Sequence, residues 1–297
     1  MLDYPSLFAL AAVVREGSFE RAARRLHVTP SAVSQRIRLL EERVGGALVV
    51  RGQPCLPTEM GRRLCQHADR VRLLEHELRG ELPGLAPDEP VRVNVPVAVN
   101  ADSLATWFLP ALTGFSVQSP VLMQVSVDDE GHTAEWLRSG AVLAAVTAVE
   151  RPASGCSVRP LGALRYVAAA SPAFVTRFFP QGVDADSLST APSLVFNTKD
   201  SLQQTWVQRL CGRAVELPCH SLPTTQGFVT AGLAGMGWAM HPLCLVDELI
   251  TRGELVELMP GTPLDVPLFW QQARAASSLL EGLTRSVLAA AREGLLQ

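Results

Sequence analysis

Residues 18–44 carry the pattern of two short amphipathic helices separated by a tight turn. Their apolar side chains recur at the three- and four-residue spacing of a helix face: Phe19, Ala22, Ala23, Leu26, Val33, Ile37, Leu40 and Val44. Ser18 and Thr29 are residue types that favour the N-cap of a helix, and Pro30 fits the first helical position, where a missing N–H has no cost. Two helices joined so closely must share one core, so this stretch predicts a helix-turn-helix.

The segments on either side extend this pair to a small domain. A third helical stripe precedes it and ends at Gly17, and a Gly-Gly pair ends the second helix of the motif. Residues 48–50 and 55–56, separated by Gly and Pro, predict the two short strands of a wing. We therefore expect a winged helix-turn-helix over residues 1–57.

A long helix is predicted from Thr58 to about Arg79. Its apolar side chains alternate in steps of four and three, the heptad seam of a coiled coil: Met60, Leu64, His67, Val71, Leu74 and Leu78. A lone helix with such a seam needs a partner. The seam either packs on the domain that precedes it or forms the contact of a homodimer, and we expect the dimer.

The second helix of the motif has a polar face opposite its buried stripe. Serine and glutamine side chains on this face share the three- and four-residue spacing, and glutamine suits the N6 and N7 atoms of adenine. Arginines beside it and in the wing suit phosphate. The alternatives are a solvated helix face or a surface that binds another protein. The candidate contacts to double-stranded DNA are Pro30, Ser31, Ser34, Gln35, Arg36, Arg38 and Arg51.

Charge is divided unevenly along the chain. The net charge is −3 over 297 residues, yet residues 1–80 hold 13 arginines against nine acidic side chains, and residues 81–297 have a net charge of −7. A basic first part fits contact with a polyanion, and the acidic remainder indicates a second task.

The sequence lacks the signals of secretion, membrane insertion, metal binding or catalysis. The six cysteines form no CxxC pair, no signal peptide begins the chain, and no uncharged stretch is long enough for a membrane span. GxSxG, HExxH and Gly-rich phosphate loops are absent, and His132, His220 and His241 are isolated. We expect a cytoplasmic protein that is not an enzyme and uses no metal or cofactor.

After a Pro- and Gly-rich linker at 80–90, apolar runs alternate with helical patterns. This alternation predicts parallel sheets with helices on both faces. Strands are predicted at 91–99, 121–127, 142–149, 166–170, 193–196, around His220 and at 238–241. Helices are predicted at 104–115, 133–139, 201–211 and 225–231.

The first domain resembles that of the LysR-type transcriptional regulators in SFERAARRLHVTPSAVSQRIRLLEERVG, followed by LVVR and PTEMG. The segment FVTAGLAGMGWAMHP is similar to one in the second half of the effector domain of those regulators. NADSLATWFLPAL (100–112) and LFWQ (268–271) resemble the arginine- and lysine-responsive ArgP/LysG branch. Members of that branch switch on amino-acid exporter genes in response to basic amino acids.

The resemblance implies an α/β multidomain fold, in which a winged helix-turn-helix and linker helix precede a two-lobed effector domain like the periplasmic binding proteins. The implied parts are 1–57 (winged helix-turn-helix), 58–79 (linker helix), 80–90 (hinge) and 91–297 (effector domain), with lobe I at about 91–164 and 266–297 and lobe II at about 165–265. The implied partners are promoter DNA, lysine or arginine as effector, further copies of the chain in a dimer or tetramer, and RNA polymerase.

The first candidate ligand contacts follow the strand at 91–99. Ligands in open α/β sheets bind beyond the carboxyl ends of strands, where helices begin. The backbone N–H groups of Ser103 and Leu104 would attract a carboxylate. Asp102 beside them suits a ligand that also carries an ammonium group, as an α-amino acid does. The alternative is an ordinary helix cap; for Ser103 the resemblance favours ligand contact.

A second group of candidates follows the strand at 121–127. Residues 128–130 are three consecutive acids with no basic neighbour. One of them could pair with the side-chain cation of lysine or arginine, and the resemblance to the branch favours Asp129. A solvated loop is the alternative. Thr147, at the end of the next strand, could form one further hydrogen bond.

Lobe II supplies the remaining candidates. Asn197 and Asp200 follow the strand at 193–196, and Asp200 is a possible second cation partner. Thr224 and Thr225 begin a helix, and Thr225 is a natural N-cap whose hydroxyl could instead bind a carboxylate. Trp270 could form a wall of the pocket, although a buried core position is the commoner fate of tryptophan.

The expected function is a ligand-responsive DNA-binding transcription regulator. Three other classes stay open at this point: an architectural DNA-binding protein without an effector, a LysR-type regulator of a different metabolite, and an enzyme with an incidental helix-turn-helix. The missing catalytic set disfavours the enzyme.

Overall fold

The computed structural model describes residues 3–82, 94–119, 121–127, 136–138 and 140–297. It divides into two compact units, residues 1–93 with 139–141 and residues 94–138 with 142–297. Most of the predicted hinge at 80–90 and the start of the predicted strand at 91–99 lie outside the described residues. Within the described part, no helix combines the length and apolar character that a membrane crossing requires.

The first unit is a winged helix-turn-helix followed by a long helix. Its elements are α1 (Tyr4–Glu16), α2 (Phe19–Arg25), α3 (Pro30–Val44), β1 (Val49–Val50), β2 (Leu56–Pro57) and α4 (Glu59–Glu81). The predicted caps are confirmed: Ser18 Oγ accepts the Arg21 N–H at 3.4 Å and Thr29 Oγ1 accepts the Ala32 N–H at 3.2 Å. Gly17, in the left-handed region at φ 64°, ends α1.

The core of this unit is the set of helical stripes that the sequence predicts. Val33, Ile37 and Leu40 of α3 are at most 2% exposed and pack with Ala22 and Ala23 of α2. β1 and β2 pair antiparallel to form the wing. The burial of one apolar face on each helix holds these short elements together, because helices of this length are marginal alone.

The apolar seam of α4 is packed in one part and exposed in another. Leu64 packs against Leu7 and Ala11 of α1, so part of the seam belongs to the domain's own core. Leu74 and Leu78, further along the helix, are 51% and 47% exposed. The first part of the seam therefore packs on its own domain, and the exposed part leaves the predicted dimer contact as a prediction.

The second unit contains a seven-stranded sheet and a smaller two-stranded sheet. The seven-stranded sheet has the order β10-β6-β11-β5-β3-β4, and β9 also pairs with β6. Its strands are β3 (Asn94–Val99), β4 (Leu122–Val127), β5 (Ala144–Thr147), β6 (Cys156–Ala170), β9 (Ala239–Pro242), β10 (Val256–Glu257) and β11 (Leu264–Ala273). The small sheet pairs β7 (Ser193–Val195) with β8 (Cys219–Ser221) in parallel.

The helices of the second unit cover these sheets. They are α5 (Ala101–Ser103), α6 (Leu109–Gln118), α7 (Pro172–Phe178), α8 (Ala185–Leu188), α9 (Leu202–Cys211), α10 (Thr225–Leu233), α11 (Leu243–Thr251) and α12 (Glu281–Gly294). A π-helical turn at Leu104–Phe108 joins α5 to α6. Pro110 lacks the N–H that would bond the carbonyl four residues earlier, and the wider turn accommodates it. Of the helix predicted at 133–139, only 136–138 are described.

Two long strands, β6 and β11, join the two lobes of this unit. They pair antiparallel from Leu264–Tyr166 to Ala273–Cys156. We call lobe I the part built on β3, β4 and β5, and lobe II the part built on β7 to β10. The carboxyl-terminal part of β6 also pairs with β9 and β10, so each lobe holds one end of the crossing strands.

The prediction of parallel sheets is right for only part of the main sheet. β3 pairs parallel with β4 and β5, but β6 pairs antiparallel with β9, β10 and β11. The predicted strand at 166–170 is also too short, since β6 begins at Cys156. Gly162, at φ 121°, lies where the register of β6 with β11 shifts, next to Leu268.

Candidate DNA-binding face and ligand cleft

Helix α3 presents the predicted polar face to its surroundings. Pro30, Ser31, Gln35 and Arg38 are exposed, while Ser34 and Arg36 are partly buried. The Arg38 Nε donates to Glu42 Oε1 at 2.9 Å on the same helix. Because both side chains are largely exposed, this ion pair is weak, and Arg38 can exchange it for a phosphate.

The wing brings Arg51 to the start of α3. Pro30, Ser34 and Arg51 line one surface groove, together with Arg21 of α2 and Gln53 of the wing. The Arg51 guanidinium lies 5.4 Å from the centroid of the Phe19 ring, which limits the range of positions that this long side chain can adopt. Arg21 and Gln53 are missing from the sequence prediction. Arg21 is one of several arginines on the predicted outer face of α2, and their spacing alone does not show which of them faces the groove.

A polar cleft lies between the lobes of the second unit. It encloses about 530 Å³ of space, part of it open to solvent. The predicted residues Asp102, Asp200 and Thr225 meet at this cleft. Its polar walls are Asn100, Asp102, Asp200, Ser201 and Thr225, and its apolar walls include Phe196, Leu202, Phe228 and Met240.

Asp102 connects the two lobes through both of its carboxylate oxygens. The Thr225 hydroxyl of lobe II donates to Oδ1 at 2.6 Å, and the Tyr166 hydroxyl on crossing strand β6 donates to Oδ2 at 2.8 Å. Tyr166 is 1% exposed and Thr225 is 7% exposed. These are charge-assisted hydrogen bonds with little access for competing water, so they hold the carboxylate in a fixed place.

The start of α10 differs in one respect from the sequence prediction. Thr224, and not Thr225, is the N-cap, and its Oγ1 accepts the Gly227 N–H at 3.3 Å. Thr225 is the first helical residue. Its hydroxyl is therefore available for the Asp102 carboxylate because the residue before it caps the helix.

Asp200 lines the cleft and also shapes the loop before α9. Its Oδ2 accepts the Phe196 N–H at 2.8 Å and its Oδ1 accepts the Leu202 N–H at 3.1 Å. Asn197 lies in the same loop, where its Oδ1 accepts the Lys199 N–H at 2.7 Å. Asn197 is not among the residues that line the cleft, and its position favours a role in the turn.

The first helix junction is only partly as predicted. The Leu104 N–H is not free for a ligand carboxylate, since it donates to the Asn100 carbonyl at 3.1 Å. Ser103 is fully buried, and its hydroxyl makes no hydrogen bond within the described part of the chain. Neither residue lines the cleft, whereas Asp102 between them does.

Two further predicted contacts lie in the core. Trp270 is fully buried, and its Nε1–H lies 3.1 Å from Gln272 Oε1 and 3.0 Å from Thr284 Oγ1, so it does not form a wall of the cleft. Thr147 is also fully buried, and its Oγ1 accepts the Val149 N–H at 3.1 Å. Both side chains therefore belong to the buried faces of their strands, β11 and β5. Asp129 lies outside the described residues.

Sequence reasoning missed Tyr166 and the apolar walls of the cleft. Tyr166 stands in an apolar run that reads as an ordinary core strand, and nothing local marks its hydroxyl as a partner of Asp102. Phe228 and Met240 read as core positions for the same reason. Behind Phe228 lies His241, whose complete burial lowers its pKa to about 4, so it is neutral at physiological pH.

Metal chemistry has no support in the side chains of the described residues. No three histidine, cysteine, aspartate or glutamate side chains among them cluster as a metal ion requires. A winged helix-turn-helix followed by a two-lobed α/β domain with a polar cleft defines a DNA-binding regulator with a separate effector domain.

Comparison with known protein families identifies both parts. Residues 6–62 match the lysR family of bacterial regulatory helix-turn-helix proteins, and residues 88–292 match the LysR substrate binding domain. The chain therefore belongs to the LysR family, and it is a DNA-binding transcription regulator, not an enzyme.

Several relatives match over nearly the full length. The chain is 45% identical to the regulator LysG of Mycobacterium bovis over 98% of this chain and 94% of the relative. It is 43% identical to the regulator ArgP of Pseudomonas fluorescens over 100% and 99%.

Solved structures agree with the described fold. ArgP from Mycobacterium tuberculosis has a TM-score of 0.82 at 44% identity and covers 100% of this chain and 99% of that one. Full-length LysG from Corynebacterium glutamicum with bound effector Arg has a TM-score of 0.71 at 35% identity and covers 100% of both chains.

Proposed function

We propose that this regulator binds arginine or lysine in the cleft between its lobes and thereby changes how it holds promoter DNA. The single observation that carries the proposal is the Asp102 carboxylate, fixed between the two lobes at the cleft wall. The relatives support the choice of ligand, since one of them is a LysG structure with the effector Arg.

The charge of the cleft favours a cation. Asp102 and Asp200 are the charged side chains among the described residues that line it, and both are acidic. An ammonium or guanidinium group would form charge-assisted hydrogen bonds with these carboxylates.

The carboxylate of an amino acid also finds a suitable place. Helices begin at the cleft at Ala101 and at Thr225. The N-terminal end of a helix carries a partial positive charge and directs N–H groups outward, which favours an anion. We assign the α-carboxylate to the start of α10, the longer of the two helices, and the ligand cations to Asp102 and Asp200.

Ligand binding would act through the equilibrium between lobe positions. A ligand shifts such an equilibrium only by its preference for one state over the other. We propose that the exposed part of α4 joins two copies of the chain, that two such dimers can form a tetramer, and that their α3 helices enter successive major grooves. The regulator would then act in the cytoplasm on an amino-acid exporter gene, in contact with RNA polymerase.

Calorimetric titration of the full chain tests the ligand. We expect arginine and lysine to bind, and citrulline and norleucine, which lack the side-chain cation, to bind at least tenfold more weakly. Asp102→Asn keeps the size of the side chain but removes its charge, and it should reduce arginine affinity by at least tenfold. Asp247→Asn, at an exposed site on α11, is the matched control and should bind as the wild type does.

The outcomes separate the remaining alternatives. Norleucine that binds as tightly as lysine removes the case for cation recognition and favours a different metabolite. An absence of binding by all four compounds, with DNA binding intact, favours an architectural DNA-binding protein.

A further inference from the structure

We infer that Tyr166, Asp102 and Thr225 form a clasp between the lobes that sets the affinity of the cleft for its ligand. The clasp consists of the Tyr166–Asp102 hydrogen bond of 2.8 Å and the Thr225–Asp102 hydrogen bond of 2.6 Å. The inference rests on the proposed function and adds a regulating role for two hydroxyl groups.

The three side chains come from three different parts of the second unit. Asp102 follows β3 in lobe I, Thr225 begins α10 in lobe II, and Tyr166 lies on β6, which crosses between the lobes. The bond to Thr225 spans 123 residues of sequence and directly joins the two lobes. Any movement that separates the lobes at the cleft must break it.

The Thr225 hydroxyl is not needed to begin its own helix. Thr224 caps α10, so the Thr225 hydroxyl is not used for the helix start. The Tyr166 ring is buried in the sheet, and its hydroxyl donates to the Asp102 carboxylate. Both donors are at least nine-tenths buried, which strengthens their bonds to a charged acceptor.

The clasp is compatible with a bound cation. Each carboxylate oxygen can accept more than one hydrogen bond, so an ammonium group can join the two hydroxyls on Asp102. A ligand then meets a carboxylate that is already oriented and attached to both lobes. Without the clasp, part of the ligand's binding free energy must bring the lobes together. The apparent affinity is then the affinity of the closed state multiplied by the fraction of molecules whose lobes are closed.

Thr225→Val and Tyr166→Phe remove one hydroxyl each and nearly preserve shape. We expect each to weaken arginine binding about tenfold. The double variant should lose less than the product of the two effects, because both bonds act on one carboxylate and one movement. Thr225→Ser keeps a hydroxyl and should restore the affinity. Thr230→Val, on the exposed side of the same helix, is the matched control, since its hydroxyl donates to the Gln226 carbonyl of that helix.

Hydrogen exchange of the full chain without added ligand tests the clasp directly. We expect faster exchange in Thr225→Val and Tyr166→Phe at residues 100–108 and in the first turns of α10, with no change in α3. A variant that is merely unfolded would exchange faster throughout and have a lower melting temperature. Thr225→Ser distinguishes loss of the hydroxyl from unfolding, because it keeps the hydroxyl and should exchange as the wild type does.

The result that overturns the clasp is a Thr225→Val protein that exchanges and binds arginine as Thr230→Val does. This result is distinct from failure of the proposed function. If the wild type binds neither arginine nor lysine but the exchange of both variants rises as expected, the clasp stands and the ligand assignment falls.

Discussion

Arg165 and Asp265 face each other across the two strands that join the lobes. They are partners in the register of β6 and β11, and the guanidinium donates from two nitrogens to the two carboxylate oxygens at 2.7 and 2.8 Å. Bidentate pairs of this kind fix geometry as well as charge. The pair therefore fastens the crossing strands at the end where lobe II begins.

Asp265→Asn should make the protein slightly less stable at neutral pH. The hydrogen bonds from Arg165 lower the pKa of Asp265, so the pair stabilises the fold above the unfolded pKa of about 4, and this stabilisation is lost as pH falls through the lowered pKa. Because both side chains are over a third exposed, we expect a melting temperature lower by about 2 °C or less.

The pH dependence is the sharper part of this prediction. The difference in melting temperature between Asp265→Asn and the wild type should be smaller at a pH below the lowered native pKa than at pH 7, because the native carboxylate is then protonated. Asp247→Asn serves as the control for the loss of one exposed charge. A difference that is the same at both pH values argues against the ion pair as its source.

His241 should make the second unit sensitive to mild acid. Burial lowers its pKa to about 4 from 6.5, so the unfolded chain binds a proton in this window and the folded chain does not. Stability should therefore be lost as pH falls from about 6.5 to about 4, by about 3 kcal/mol from this group. Urea unfolding at pH 7, 5.5 and 4 should show this loss in the wild type and not in His241→Leu. His220→Leu, an exposed site, should keep the wild-type profile.

The first unit could be predicted almost entirely from the sequence because its signals are local. Thr29 and Pro30 mark the start of α3 within two residues, and Val33, Ile37 and Leu40 give its buried face at helical spacing. Caps, stripes and turn residues all indicate the same structure there. The exposed face of α3 is the set of positions outside this buried stripe, so the candidate DNA contacts on it could also be predicted from the local pattern.

The cleft could be predicted only in part, because its geometry depends on contacts between distant residues. Asp102 and Thr225 mark helix starts and are visible in the sequence, but their partnership spans 123 residues. Tyr166 carries no local signal, and Trp270 shows that an aromatic residue near a family motif can simply belong to the core. The full length of β6 could not be predicted locally, because a register shift against the distant strand β11 accommodates Pro160 and Gly162.

Gln35→Ala should relax the base preference of the regulator. Gln35 is exposed on α3, where a bidentate contact to adenine would contribute about 1–3 kcal/mol of discrimination. A duplex fragment that the full chain retains from its own genome at low ionic strength supplies the target. Fluorescence anisotropy with single-base variants of that fragment should show a smaller spread of affinities for Gln35→Ala. An unchanged spread places Gln35 away from the base edges.

Arg51→Ala should weaken binding to all sequences alike. Arg51 stands in the wing beside α3, where a phosphate contact contributes affinity without sequence information. The slope of log affinity against log salt should fall by about one, and the base preference should stay as in the wild type. Arg213→Ala, an exposed arginine of the second unit, should leave the slope unchanged. An altered base preference in Arg51→Ala shows that the wing reads sequence instead.

Leu74→Glu combined with Leu78→Glu should separate the copies of the chain that we propose α4 joins. These side chains are 51% and 47% exposed on the described unit, whereas Leu64 of the same helix is partly buried against α1, so the apolar seam continues beyond its own domain. Two glutamates facing two others across a seam repel each other and lose apolar burial. Sedimentation at micromolar concentration should show a smaller assembly for this variant and the wild-type assembly for Arg63→Glu, an exposed site on the same helix. Sedimentation of the Leu74→Glu, Leu78→Glu protein identical to that of the wild type places the contact between copies elsewhere.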